Sequence, residues 1–262
     1  MAFETILVAK ADGVATITLN RPQVLNALSA RSFREISLAL EDMQADTEIR
    51  SIVLTGAGNA FSAGGDIKEM SSNPANESML FRDFMLTVKK TILDLHHLEK
   101  PVIAAVNGLA YGAGFSLALA CDVILASEQA SFCQVFVRIG LVPDGGSTFF
   151  LPRIIGTARA FPLVLSGEPI SAHEAQSLGL ISKVVPAERL GEETMAVARK
   201  LAQGPTRAMG LAKKLIYGGL EKSLAEQLDE EASYQALCRM TQDHKEGLQA
   251  FQEKRIPRFT GK

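Results

Sequence analysis

Cysteine is scarce in this 262-residue chain: Cys121, Cys133 and Cys238 stand far apart, with no close pair among them. An odd and scattered set builds neither a disulfide framework nor a cysteine zinc site, and it fits a reducing compartment. A charge excess is missing too. Lys and Arg total 27 and Asp and Glu 29, a formal net charge of -2 that gives no global pull towards nucleic acid. The start, Met1-Ala-Phe-Glu-Thr, has no basic segment before an apolar one, and Glu4 counts against a transit peptide, so the cytoplasm is the expected location. Nor is there a clean membrane span. Val102 to Ala120 is the nearest approach, but it follows Lys100-Pro101, contains Asn107 and is broken by Gly108, Gly112 and Gly114. That stretch reads as a buried strand, a loop and a buried helix, so no membrane partner is expected. The histidines, His96, His97, His173 and His244, make no compact metal motif, and no metal is called for.

What is present is ordinary for a globular enzyme: 47% apolar and 21% charged residues, in a chain long enough for one large α/β domain with an appendage. Thr5 to Ala9 and Val14 to Leu19 are β-branched runs around Ala11-Asp12-Gly13, a hairpin signature. Ser29 is placed to cap a helix whose apolar face is Phe33, Ile36, Leu40 and Met43. Ser51 to Leu54 reads as a strand, Thr55 to Gly65 as a glycine-rich loop, and Ile67 to Met70 as a short helix. Asn73-Pro74 then interrupts, Leu80 to Leu98 resumes as a helix, and Val102 to Val106 is the next strand. Alternating strands and helices with crossover-length connections predict a parallel-rich α/β core over residues 1–190. From about Gly191 to residue 262 the pattern is helical, broken at Gly204-Pro205 and Gly218-Gly219.

Two glycine-rich junctions stand out, Phe61-Ser-Ala-Gly-Gly-Asp-Ile and Asn107-Gly-Leu-Ala-Tyr-Gly-Ala-Gly-Phe-Ser. Small residues let a ligand approach the main chain, and the first turn of a helix leaves N–H groups free to meet developing negative charge. Glycines that merely permit tight turns leave the same trace, so both readings stand on the residues alone. Neither junction matches a Walker pattern or a full dinucleotide fingerprint. Gly114-Phe-Ser-Leu-Ala lacks the last glycine of a nucleophile elbow, which makes Ser116 a pocket-wall residue.

Leu19-Asn-Arg-Pro-Gln-Val-Leu-Asn-Ala-Leu, Phe61-Ser-Ala-Gly-Gly-Asp-Ile-Lys-Glu-Met and Lys100-Pro-Val-Ile-Ala-Ala-Val-Asn-Gly resemble the crotonase family of enoyl-CoA hydratases and isomerases. The likeness continues through Cys121-Asp-Val-Ile-Leu-Ala-Ser-Glu and Gly140-Leu-Val-Pro-Asp-Gly-Gly to Phe251-Gln-Glu-Lys-Arg, nearly the full chain. It implies a spiral of repeated ββα units, a C-terminal helical trimerisation region, and a homotrimer or dimer of trimers. It implies an acyl-CoA thioester as substrate, with coenzyme A part of that substrate and no separate cofactor. The N–H groups of Gly65 and Ala113 would form the oxyanion hole. Val24, Ala27, the stretch Ala63, Gly64, Gly65, Asp66 and Ile67, and the tail positions Phe251 and Lys254 match places that contact CoA. Asp66, at a helix start, reads more simply as an N-cap.

The departure from the family is at its carboxylates: the two glutamates of the hydratase pattern fall on Ser116 and Phe136. Hydration needs an activated water and a proton donor, and neither residue supplies a glutamate's acid–base chemistry. Asp144, in Leu141-Val-Pro-Asp-Gly-Gly, matches the acidic position of isomerase branches, including that of the ring-epoxide isomerase of phenylacetyl-CoA degradation. One carboxylate suffices to move a double bond, taking the α-proton and returning a proton at the γ-carbon. Pro-Asp-Gly is also a plain turn sequence. The expected function is therefore an enoyl-CoA isomerase that shifts a double bond, or rearranges a ring, with Asp144 as acid/base. The alternatives are a hydratase, another crotonase-type lyase or hydrolase, and a catalytically silent acyl-CoA-binding subunit.

Overall fold

The computed structural model describes residues 3–70 and 77–262, so the Asn73-Pro74 interruption lies outside the described residues. The chain opens with an antiparallel pair, β1 (Ile6–Ala11) and β2 (Val14–Leu19), closed by the Asp12-Gly13 turn. This is the predicted hairpin, with its first strand shifted towards the turn. Helix α1 (Ala30–Ala45) starts where Ser29 accepts a hydrogen bond from the Ser32 N–H, and it buries Phe33, Ile36, Leu40 and Met43 as the spacing predicts.

Next come β3 (Ser51–Gly56) and β4 (Ala60–Ser62), then helices α2 (Ile67–Met70) and α3 (Glu77–His97). The pattern repeats with β5 (Val102–Val106), β6 (Leu109–Tyr111) and α4 (Ala113–Leu119), and again with β7 (Val123–Ser127) and β8 (Ser131–Cys133). A 3-10 turn over Val135–Ile139 leads to α5 (Ser147–Ile155) and α6 (Thr157–Ser166), followed by β9 (Ile170–Ser171), α7 (Ala172–Ser177) and β10 (Lys183–Val185). After the opening hairpin, which lies wholly in the large sheet, each pass through the core gives one strand to a six-stranded sheet, ordered β1-β2-β3-β5-β7-β10, and one to a four-stranded sheet, ordered β4-β6-β8-β9. The small sheet corrects two sequence expectations: β4 and β6 occupy stretches read as loop. Strands of three residues are too short to display an alternating pattern.

Both faces of the large sheet are covered. One carries α1, α3 and α4 in the main core, which includes Phe33, Phe61, Phe115 and Phe132. The other carries α8 (Leu190–Ala202), whose Leu190, Ala198 and Ala202 pack on Val14, Val53, Ile103, Ala105 and Leu125. Burial on both sides is why β5 is apolar at every position, each Val or Ile contributing about 1.5–3 kcal/mol of burial. The last helices are α9 (Thr206–Gly218), α10 (Leu224–Arg239) and α11 (Gln242–Glu253); the predicted breaks at Gly204-Pro205 and Gly218-Gly219 flank α9, and a further break at Met240-Thr241 separates α10 from α11. Among the described residues no helix is long and apolar enough to cross a membrane.

Two buried or half-buried aspartates fasten this helical region, one within it and one to the core. Asp243, in the first turn of α11, is buried and accepts from the N–H groups of Thr260 and Gly261, pinning the C-terminal residues. Asp122, at the start of β7, accepts from the Val102 N–H (2.8 Å), Lys213 Nζ (2.9 Å) and Tyr217 Oη (2.9 Å), so α9 is locked to the large sheet. His96 stacks on Tyr217 with ring centroids 4.0 Å apart, and burial lowers its pKa, which makes it a packing residue.

Candidate active site

The turns that link the two sheets bring the glycine-rich junctions together. Residues 21–28 run alongside residues 62–66: the Ala63 N–H donates to Leu25 O (2.9 Å), Leu28 N–H to Gly64 O (2.7 Å), and Asp66 N–H to Leu28 O (3.0 Å). This short parallel bridge pairs Leu28 with Gly65 and uses the peptide groups on either side of Gly65. The Gly65 N–H therefore points away from residue 28. Asp66 accepts from the Lys68 N–H (3.1 Å), as the predicted cap would, and also meets Arg21 in an ion pair of 2.8 Å. Arg21 donates in turn to Ala27 O. Val24, Ala27 and residues 63–67, separate in sequence, are thus gathered into one ledge.

Ala113 is the first residue of α4, where N–H groups lack an intrahelical partner. Among the described residues neither its N–H nor that of Gly65 meets a protein acceptor. The two segments touch. Gly64 has φ +98°, and a Cβ there would lie 2.8 Å from Tyr111 O and 3.4 Å from Ala113 N, so only glycine permits this approach. Two unpartnered amides on adjacent segments are able to stabilise negative charge growing on a carbonyl oxygen.

Two asparagines, which sequence reasoning passed over, hold these turns in place. Asn26 donates to Ala57 O (2.9 Å) and Ala60 O (2.8 Å), while Asn107 donates to Gly56 O (3.0 Å) and Gly58 O (2.9 Å). Both lie inside the family-like segments, and their signal was a short polar side chain in a turn, where main-chain carbonyls need donors. Asn26 also sits at φ +55°, a conformation that asparagine tolerates better than most residues.

Asp144 lies in the loop before α5. Its carbonyl accepts from Ser116 Oγ (2.8 Å) and Ser147 Oγ (3.1 Å), and Ser116 Oγ is also within 3.2 Å of Gly112 O. Ser116 is fully buried and serves as a bracket between α4 and the Asp144 loop, so its hydroxyl is occupied by main-chain acceptors. Gly145 follows at φ +57°, and a Cβ there would meet that of Ser116 at 2.7 Å, which fixes how close the loop comes to α4. The Asp144 carboxylate is differently placed from its carbonyl: Oδ1 is buried and has no hydrogen-bond partner among the described residues. Burial pushes its pKa up to about 6, well above the usual carboxylate range. Phe136 is buried, and its ring lies against Gly112, 3.7 Å from where a Cβ would stand, so it forms an apolar wall beside the start of α4.

Gly65, Ala113, Ser116, Phe136 and Asp144 are thus neighbours around the first turn of α4. Phe251 and Lys254 are not. Both are exposed at the end of α11, Phe251 at 85%, and within the chain nothing described links either to the ledge. Among the described residues no cluster of His, Cys, Asp or Glu is suited to hold a metal ion.

This arrangement has close counterparts. The profile of the enoyl-CoA hydratase/isomerase family matches residues 9–262, and the chain belongs to that family, the crotonases. Over the full length of both chains it is 42% identical to a probable enoyl-CoA hydratase of Rhodobacter capsulatus. It is 40% identical to the 1,2-epoxyphenylacetyl-CoA isomerase of Escherichia coli, across 99% of each. Its fold matches the crystal structure of an enoyl-CoA hydratase from Bacillus anthracis with a TM-score of 0.94 at 38% identity, over 99% of this chain and 100% of that one. It is therefore a crotonase-fold enzyme of the enoyl-CoA hydratase/isomerase family.

Proposed function

We propose that this enzyme is an enoyl-CoA isomerase with a single acid/base carboxylate. The N–H groups of Gly65 and Ala113 take the thioester oxygen as the enolate forms, and Asp144 removes the α-proton and delivers a proton to the γ-carbon. The double bond moves from the β,γ to the α,β position with no net gain or loss of atoms. Residues Val24, Ala27, Ala63, Gly64, Asp66 and Ile67 form the CoA ledge, and Phe251 and Lys254, remote from it within one chain, complete the ledge of a neighbouring subunit from α11. Assembly as a homotrimer or dimer of trimers belongs to the same reading, since α10 buries no residue within one chain.

The observation that carries the proposal is the contrast among the acidic position and the two former glutamate positions. The Asp144 carboxylate has a buried, unpartnered oxygen and a raised pKa, the Ser116 hydroxyl is taken by main-chain carbonyls, and Phe136 is apolar. A hydrophobic wall also excludes the water that hydration requires. Both activities are named among the relatives, with hydratases the more numerous among those compared.

The test is a panel of linear and ring-bearing 3-enoyl-CoAs in deuterated water, followed by mass and NMR, with wild type and Asp144→Asn. Isomerisation relocates hydrogen between the α and γ carbons at constant mass apart from exchange, and the variant loses it. A gain of one water on a 2-enoyl-CoA assigns a hydratase instead. Tight thioester binding without turnover, unchanged in Asp144→Ala, assigns a silent binding subunit.

A further inference from the structure

Gln134 is 1% exposed, and among the described residues neither its Oε1 nor its Nε2 has a hydrogen-bond partner. A buried amide with both ends unpaired costs roughly 1–3 kcal/mol per group, so its retention asks for a partner. Its direction follows from β8. Ser131 reaches Tyr111 Oη and the Cys133 thiol reaches Gly167 O, which puts these two on the face of β8 away from α4. Phe132 points the other way and packs on Phe115 of α4, ring centroids 5.1 Å apart. Continued one residue past the end of the strand, where Gln134 opens the 3-10 turn, this alternation carries Gln134 to the Phe132 side.

Its level is fixed too. β6 and β8 run parallel with Tyr111 opposite Cys133, and the Gly112 N–H donates to Cys133 O at 2.9 Å. Gln134 therefore follows at the height of Gly112 and Ala113, two residues before the Phe136 wall. The buried, unpartnered Asp144 Oδ1 belongs to the same neighbourhood through the Ser116 bracket. A wholly hydrocarbon acyl group would leave this amide unanswered.

We propose that Gln134 is a specificity-determining residue whose amide hydrogen-bonds an oxygen carried by the acyl part of the substrate, beyond the thioester carbonyl. This rests on the acyl-CoA reading of the site and narrows it to acyl groups with a hydroxyl, ether or oxo oxygen near the reacting carbons. A hydroxyl engages either end of the amide, whereas an ether or oxo oxygen takes Nε2 alone.

Binding tests this without turnover. Hexanoyl-CoA is compared with 3-oxahexanoyl-CoA and 4-oxahexanoyl-CoA, unreactive analogues in which one methylene is an ether oxygen, by titration calorimetry on the full chain. Wild type is expected to prefer one oxa analogue by ~3–10-fold in Kd, the range of one net hydrogen bond. Gln134→Leu keeps the volume and removes both polar atoms, and Gln134→Met keeps the length of the side chain and offers no donor. Both are expected to lose the preference while binding hexanoyl-CoA within about twofold of wild type. No preference in wild type, or the same preference in the variants, overturns the proposal. Because a merely structural role for Gln134 shifts all three ligands alike, the ratio separates the two. An intact oxygen preference without double-bond migration in the enoyl-CoA panel sinks isomerisation and leaves this inference standing.

Discussion

Asp122 and Asp144 are two aspartates at element boundaries of one core, and the fold treats them oppositely. Asp122 is surrounded by donors: a backbone N–H, the Lys213 ammonium and the Tyr217 hydroxyl. Its charge is spent on holding α9 against the sheet. Among the described residues Asp144 has donors only for its carbonyl, while one carboxylate oxygen is buried without a partner and its pKa rises to about 6. A carboxylate that is fully answered builds structure, and one that is left basic is available for proton transfer.

The comparison breaks first on catalysis. Asp144→Asn is expected to lower kcat by about 10²–10⁴-fold with the thermal midpoint held or raised, in steady-state assays and melting curves on the same protein. If stability collapses and residual activity per folded molecule does not, the two aspartates are alike. Next in size, Asp122→Ala leaves Lys213 buried beside an uncompensated site and is expected to cost about 3–5 kcal/mol in urea unfolding, with kcat per folded molecule unchanged.

The pH dependence sharpens the contrast. The folded protein holds the Asp144 proton more tightly than the unfolded chain, so between about pH 4 and pH 6 the folded state binds more protons. Stability relative to Asp144→Asn therefore falls as pH rises through that window and levels off above it, whereas kcat rises through about 6. A stability difference that grows with pH reverses the assignment. Ser116→Ala, which removes the bracket, is expected to lower kcat by ~10-fold and stability by about 1 kcal/mol. The smallest effect belongs to Tyr217→Phe, about 1 kcal/mol of stability and no change in turnover.

Some of this was readable from the residues alone. Ser29 and the four apolar positions after it specify α1 locally, and Asp12-Gly13 specifies the hairpin turn. The glycine-rich segments around Gly65 and Ala113 carry enough pattern to mark the site. The small sheet was hidden because β4, β6 and β8 draw their identity from neighbours across the sheet. The partnership of Asp122 with Lys213 spans 91 residues, and no local pattern announces it. Whether Pro-Asp-Gly is a turn or a base depends on what fills the space around the carboxylate, and that is decided by burial in three dimensions. Gln134 was missed for the same reason, since an unpaired amide is visible only once every neighbour is known.

On the proposed reading, the groups that meet the thioester at Gly65 and Ala113 belong to the main chain, so point mutation cannot delete them short of introducing proline. A lineage is free to exchange the side chains around them, a glutamate for Ser116 or Phe136, and change the reaction while its activating element stays untouched. Removing that element takes chemistry outside the genetic code, such as an ester in place of the peptide bond at residue 113.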